Sequence, residues 1–170
     1  YVFLTHAHID HSGLLPLLYR QGFRGRIYAT AETTNLCSIM LADSAHIQET
    51  DALYETKKNL RHSGAEVEPL YTAEDATAVM ELFRPCKYGE MIMVDDGLSV
   101  RFSDAGHLLG SSFIELFLED CGQMRKLVCS GDVGNTNQPI INNPQPVSEA
   151  DYLIIESTYG TRLHDSVQTS

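Results

Sequence analysis

The spacing of apolar residues along the chain predicts strands and helices in the first half and mostly strands in the second. The apolar run at residues 1–4 predicts a buried strand that ends next to a cluster of histidines. Leucines at positions 14, 15, 17 and 18 predict a helix that ends near Gly22. Residues 26–29 predict a second short strand.

Three further helical patterns come before Pro85. Residues 32–41 and 45–62 predict two separate helices, the second with lysine and arginine in its last turns, as suits a helix C-terminus. Residues 72–75 have the sequence of a capping box, and apolar residues up to Phe83 follow at helical spacing. We therefore predict a third helix that Pro85 ends.

From Met91 onward the period of apolar residues is two, which is typical of strands. The pattern predicts a hairpin of residues 91–94 and 98–102 around a turn at 95–97, strands at 112–118 and 127–129 on either side of a turn at 120–122, and a last buried strand at 152–155. The chain is therefore predicted to be α/β, with helices and packed sheets.

Composition limits the class of protein. With 170 residues and 43% hydrophobic content, the chain can form one core, so we expect one globular domain or a piece of one. Its apolar runs are shorter than the roughly 20 residues of a membrane span. The four cysteines form no C-x-x-C pair, and no signal peptide is recognisable. These features predict a soluble protein of the reducing cytoplasm, with no membrane partner.

A dense group of metal-ligand side chains follows the first predicted strand: His6, His8, Asp10 and His11 lie within six residues. In an extended segment residues i and i+2 project to the same side, so His6 and His8 can bind one ion together. Asp10 and His11 lie where the chain turns into the helix and point elsewhere. The spacing therefore predicts two adjacent metal sites.

Two more ligands are expected from distant loops, because these four side chains cannot saturate two ions. His107 follows the strand that ends near Ser103, and Gly106 and Gly110 on either side of it allow close approach of the backbone. Asp132 follows the apolar strand at 127–129. A two-metal site needs a third nitrogen ligand and a bridging carboxylate, which His107 and Asp132 can supply.

Four motifs in this order resemble the β-CASP branch of the metallo-β-lactamase superfamily: T-H-A-H-I-D-H-S-G, D-A-G-H-L-L-G-S, C-S-G-D-V-G and E-S-T-Y-G-T-R-L-H. The resemblance covers nearly the whole chain. It implies a metallo-β-lactamase αββα sandwich. We expect residues 1–170 to be a partial domain of this fold, a fragment without the N-terminal strands and without the inserted β-CASP domain, which would lie downstream.

The resemblance also implies a role for each candidate site residue. His6, His8 and His107 would hold one zinc ion, Asp10 and His11 the other, and Asp132 would bridge the two. Glu156 would orient a histidine that acts as general acid and lies outside this chain. We thus predict two zinc ions, of which only the first has a complete site here. The predicted catalytic residues are Asp10, which is also a metal ligand, and Glu156.

The function implied by the resemblance is hydrolysis of RNA, because members of the branch are RNA-processing nucleases. We predict a metal-dependent RNA hydrolase, a ribonuclease that cleaves phosphodiester bonds with a hydroxide activated by two zinc ions. Glu156 favours RNA over DNA, since the DNA-repair branch tends to carry aspartate there. A net charge of −11 weighs against binding RNA by bulk electrostatics, although bound cations would reverse the sign locally.

Two other functions stay open. One is a small-molecule metallohydrolase of the same fold that cleaves a thioester or a lactam, and the other is a non-catalytic RNA-processing subunit. The sequence also leaves a homo-oligomer open. Of the other histidines, His46 and His62 are predicted to be surface or packing residues, and His164 is given no role.

Overall fold

The computed structural model of the chain describes residues 1–61 and 64–162. Helices dominate up to residue 82 and strands follow. In chain order the elements are β1 (Val2–Phe3), α1 (Ile9–Ser12), α2 (Leu15–Arg20), β2 (Ile27–Thr30), α3 (Ala31–Leu60), α4 (Ala73–Val79), a 3-10 turn (Met80–Leu82), β3 (Phe83–Cys86), β4 (Ile92–Asp95), β5 (Leu98–Asp104), β6 (Ser112–Asp120), β7 (Gln123–Cys129) and β8 (Tyr152–Ile154).

The strands form two sheets. β1, β2 and β3 make a three-stranded parallel sheet with β2 in the centre. β4 to β8 make a five-stranded sheet in chain order, antiparallel except for the parallel pair β7 and β8. The hairpin of β6 and β7 closes through Cys121 and Gly122, which both have positive φ, as a tight two-residue hairpin turn requires.

Alternate residues of β2 face two different cores. Ile27 and Ala29 belong to a cluster that includes buried residues of α3 and α4. Tyr28, between them, faces the other way and packs with Val100 and Phe102 of β5. The three-stranded sheet therefore has the helices on one face and the five-stranded sheet on the other. This layering confirms the predicted α/β class, and no helix follows Leu82 within the described residues.

A single 30-residue helix, α3, replaces the two helices predicted at 32–41 and 45–62, so that prediction was wrong. Residues 42–44 contain neither glycine nor proline, and nothing in them ends a helix. Cys37, Leu41 and Ala45 are fully buried at a spacing of four residues, so one stripe of α3 packs on the core across the predicted break.

No described helix, α3 included, is long and apolar enough to cross a membrane.

Helix α4 begins with the predicted capping box, in which Thr72 and Asp75 each pair with the other's backbone. It ends at Val79, earlier than predicted. Phe83 and Pro85 lie instead in β3, where Phe83 is buried. Because β3 is an edge strand, it tolerates a proline that lacks a backbone N–H.

Strand β8 is exposed, although the apolar run at 152–155 predicts a buried strand. Tyr152, Leu153 and Ile154 keep between 58% and 61% of their surface in solvent. Among the described strands, β8 lies at the edge of the five-stranded sheet and pairs with β7 alone. Within the described residues, its side chains are therefore only partly covered.

Candidate metal centre

The histidine-rich segment connects β1 to α1 and is fixed by a buried serine. Ser12 donates its hydroxyl to the carbonyl oxygens of Ala7 (2.8 Å) and His8 (3.1 Å). His8 has extended backbone angles immediately before α1, whereas Asp10 and His11 are already helical. Because the backbone conformation changes at this point, the side chains of His6 and His8 point in a different direction from those of Asp10 and His11.

Two loops bring the remaining ligands to the histidine-rich segment. His107 follows β5, between Gly106 and Gly110, which both have positive φ. Asp132 follows β7, directly after Gly131 (φ 56°). A Cβ atom on Gly131 would lie 2.6 Å from the Cβ of Thr5, so only glycine lets this loop pack against the end of β1.

Four of the predicted ligands form one compact group. One ligand atom from each of His6, His8, His107 and Asp132 can be chosen so that all four lie within 4.8 Å of one another. His8 Nδ1 is 3.1 Å from His6 Nε2 and 3.3 Å from His107 Nε2. Neighbouring ligand atoms on a tetrahedral zinc ion with bonds of about 2.0 to 2.1 Å are about 3.4 Å apart. The donor set and its spacing therefore fit a zinc ion.

The carboxylate of Asp132 faces two different groups of ligands. Its Oδ2 lies 3.7 Å from His6 Nε2 and 3.5 Å from His107 Nε2. Its Oδ1 lies 3.3 Å from His11 Nε2. One oxygen thus belongs to the compact group, and the other faces His11, which in turn lies 3.6 Å from Asp10 Oδ2. This is the arrangement that a bridging carboxylate would adopt.

The protonation of His6 suits metal binding. The side chain is fully buried, and burial, followed by the neighbouring His11, lowers the pKa of His6 to about 4, although Asp132 opposes the shift. The ring is therefore neutral at neutral pH and keeps a lone pair for an ion. Its Nδ1 lies 3.1 Å from the Thr5 hydroxyl, which leaves Nε2 toward the other ligands.

A cavity of about 330 Å³ opens beside the metal ligands. Its walls come from the loop of His107, the segment after Asp132 and the segment after β8: Gly106, His107, Asp132, Val133, Gly134, Asn135, Gln138, Ile141, Glu156, Thr158 and Tyr159. Among these described residues there is no lysine or arginine. The described part of the walls therefore offers amide, hydroxyl, carboxylate and imidazole groups to a ligand.

Glu156 lies in the same cavity and connects two of its walls. Its carboxylate accepts a hydrogen bond from the backbone N–H of Val133, next to Asp132. Its own backbone N–H donates to the Ser130 hydroxyl (3.1 Å). Glu156 therefore ties the end of β8 to the loop that carries Asp132.

The structure brings together all seven residues for which the sequence predicted a role. The six proposed ligands converge, and Glu156 shares the cavity with His107 and Asp132. His46 is exposed on α3, as predicted for a surface residue, while His62 and His164 lie outside the described residues. Thr5 and Ser12 were not predicted as site residues, although both lie in the first motif.

Comparison with known proteins gives a family and several relatives. The metallo-beta-lactamase superfamily domain matches residues 1–143. The chain is 37% identical to Ribonuclease TTHA0252 of Thermus thermophilus over 96% of its own length and 32% of the relative's. It is 32% identical to Transcription termination factor FttA of Methanothermobacter thermautotrophicus, over 99% of the chain and 24% of that protein.

A third relative is the RNase J-like protein of Methanocaldococcus jannaschii, which is 30% identical over 95% of the chain and 32% of the relative. The chain thus spans between about a quarter and a third of the length of these three proteins. The relatives agree with the resemblance to the β-CASP branch that the motifs indicate. By the match over most of its length, the chain belongs to the metallo-β-lactamase superfamily.

Proposed function

We propose that the protein is a metal-dependent ribonuclease that hydrolyses phosphodiester bonds of RNA at the centre around Asp132. The observation that carries the proposal is the Asp132 carboxylate, with Oδ2 toward His6 and His107 and Oδ1 toward His11. Two of the relatives are named as ribonucleases, which supports RNA as the substrate. In this proposal the chain forms the metallo-β-lactamase part of the nuclease, and a β-CASP domain is a separate part.

The ligands divide between two zinc ions in this proposal. His6, His8 and His107 would hold the first ion, Asp10 and His11 the second, and Asp132 would contact both. Zinc suits the first group because imidazole nitrogens and a carboxylate in tetrahedral spacing are common zinc ligands. When bound, two such ions supply Lewis acidity at the phosphate and lower the pKa of water toward neutrality.

The cavity residues position RNA rather than attract it. Because no lysine or arginine is found among the described residues of the walls, contacts to the substrate come from the amide groups of Asn135 and Gln138 and from hydroxyl groups such as that of Thr158. The net charge of −11 also disfavours binding by bulk electrostatics. Affinity for the phosphate would therefore depend on the charge of the bound metal.

Glu156 has two roles in this proposal. Its hydrogen bond from Val133 N holds the loop of Asp132 in place. Following the resemblance, its carboxylate also orients a histidine from another part of the protein, which protonates the leaving oxygen. A general acid of this kind contributes about 10²- to 10⁴-fold in rate.

The test is hydrolysis of a short 5′-labelled single-stranded RNA by the intact protein, before and after removal of metal with a chelator. We expect removal of metal to lower the rate at least about 100-fold and added zinc to restore it, because the described residues of the cavity walls include no lysine or arginine that could replace the charge of the metal. A chromogenic β-lactam and a thioester are assayed in parallel. Faster hydrolysis of either would favour the small-molecule function, and no hydrolysis of any substrate by the zinc-loaded protein would favour a non-catalytic subunit.

A further inference from the structure

The loop that carries His107 belongs to no helix or strand. We define the His107 loop as residues 105–110, between β5 and β6. Gly106 (φ 63°) and Gly110 (φ 86°) lie near its two ends in backbone conformations that other residues rarely adopt. The direction of the His107 side chain therefore depends on what holds the loop in place.

Ser111 fixes the internal shape of the loop. Its buried hydroxyl accepts hydrogen bonds from the backbone N–H groups of His107 (3.0 Å) and Leu108 (3.2 Å), and its own N–H donates to Leu108 O (3.0 Å). These bonds close a tight turn. However, all of these hydrogen bonds lie between residues 107 and 111. They therefore do not determine how far the loop lies from the start of α3.

Two threonines where β2 ends and α3 begins contact the far end of the loop. Thr30 donates its hydroxyl to Gly110 O at 2.6 Å, and Thr33 donates to the same oxygen at 2.9 Å. Both side chains are buried, with at most 1% of their surface exposed. The contacts join positions that are 80 and 77 residues apart in the sequence. The Gly110 carbonyl oxygen is thus held by two hydroxyls in the protein interior.

The approach of the loop to the start of α3 is very close. A Cβ atom on Gly110 would lie 2.6 Å from Thr33 N and 2.9 Å from Thr30 Oγ1. Thr30 is the N-cap of α3, and its hydroxyl also accepts from Thr33 N (3.2 Å), so its position is set by the helix itself. The rigid start of α3 therefore fixes the position of the loop at Gly110.

We propose that Thr30 and Thr33 are positioning residues for His107: through the Gly110 carbonyl they hold its ring at the spacing that metal binding requires. His107 Nε2 lies 3.3 Å from His8 Nδ1 and 3.5 Å from Asp132 Oδ2, and Gly110 is three residues away. The inference rests on the proposed function, because it assigns the threonines to the metal centre. Partners that hydrogen-bond a metal ligand directly contribute about 10- to 100-fold to metal affinity, and we expect the lower end of this range for threonines that act through the loop.

The neighbouring Thr34 provides a matched control. Its hydroxyl donates to Thr30 O (2.9 Å), within the chain segment at the start of α3 rather than to the His107 loop. Replacing Thr33 or Thr34 with valine removes the same hydroxyl and keeps nearly the same shape. A general effect on the helix start should appear in both variants, and an effect on the metal centre only in the first.

The experiment measures zinc affinity of the intact protein by competition with a chromophoric chelator, together with the visible absorption spectrum of the cobalt(II)-loaded protein. We expect Thr33→Val to bind zinc about tenfold more weakly and to change the cobalt spectrum, and Thr34→Val to stay within twofold of the wild type. Thr33→Ser, which keeps the hydroxyl, should restore affinity, whereas Thr33→Ala should not. If Thr33→Val fails to fold, the serine and alanine variants decide the question.

Equal zinc affinity of Thr33→Val and Thr34→Val, with circular dichroism unchanged, would overturn the positioning role and leave the proposed function intact. Equal affinities of the serine and alanine variants would do the same. Failure of the wild type to bind zinc would overturn both. A tenfold loss confined to the Thr33 variants without a hydroxyl would support the proposal.

Discussion

We expect the replacement of Asp132 with asparagine to lower kcat/KM for RNA by at least about 10³-fold, or ~4 kcal/mol of transition-state stabilisation. The physical reason is that both carboxylate oxygens face ligand groups, Oδ2 toward His6 and His107 and Oδ1 toward His11. An asparagine would put a neutral NH₂ donor in place of one of these oxygens, and a donor cannot bind a cation. The measurement is initial-rate hydrolysis of RNA by the zinc-loaded intact protein.

The fold should survive this substitution, because the Asp132 side chain is 30% exposed. Asp96→Asn is the matched control. Asp96 is an exposed residue in the turn before β5, at the opposite end of that strand from the loop of His107. We expect Asp96→Asn to hydrolyse RNA at the wild-type rate. Near-normal turnover of Asp132→Asn, with unchanged circular dichroism, would contradict the bridging role.

The second large effect concerns stability and centres on Glu115 of β6, which is only 2% exposed. Arg101 donates to both of its carboxylate oxygens, at 2.9 and 2.8 Å. Ser103 donates at 2.7 Å, and Lys126 Nζ lies 2.6 Å away. Burial alone would raise the pKa of Glu115, but the hydrogen bonds from Arg101, Lys126 and Ser103 outweigh it and lower the pKa to about 2.

We expect Glu115→Gln to lower the free energy of unfolding by about 2 kcal/mol at pH 7, because it leaves two cations without their partner. The expected loss of stability is smaller than for a fully buried ion pair, because the Arg101 side chain is 36% exposed. Urea denaturation of both proteins measures the difference. Glu119→Gln is the control, since Glu119 is an exposed glutamate of the same strand and the change of charge is identical.

The pH dependence of this effect follows from the direction of the pKa shift. The folded-state pKa of about 2 is lower than the ordinary value of 4.5, so the carboxylate stabilises the fold fully above that ordinary value. This stabilisation is lost as the pH falls from 4.5 to 2. The difference between wild type and Glu115→Gln should therefore shrink over this range. A difference that stays constant, or one matched by Glu119→Gln, would refute the role of the ionic network.

Much of the candidate site was predictable from sequence because its residues lie in short motifs at strand ends. The i and i+2 spacing of His6 and His8 places both rings in one group, and Gly106 and Gly131 mark the loops that approach it. The bridging role of Asp132 was also predicted, but the sequence did not show which of its oxygens faces His6 and His107 and which faces His11. That arrangement depends on how β7 is placed relative to β1, which periodicity does not encode.

The errors in the predicted fold have a similar origin. Two helices were predicted where α3 is continuous, because local spacing does not show that Leu41 and Ala45 pack against one surface. Burial of residues 152–154 was inferred from their apolar character, but β8 lies at a sheet edge, and composition does not reveal strand order. The anchoring of Gly110 by Thr30 and Thr33 joins residues about 80 positions apart, and no local pattern indicates it.

The most direct test of the proposed metal centre is anomalous X-ray diffraction at the zinc absorption edge from crystals of the zinc-loaded intact protein. We expect two anomalous peaks. One should lie within bonding distance of His6, His8, His107 and Asp132, and the other within bonding distance of Asp10, His11 and the second oxygen of Asp132, about 3.5 to 4 Å from the first. Zinc bound elsewhere in the protein, or no anomalous peak near Asp132, would contradict the proposed metal centre.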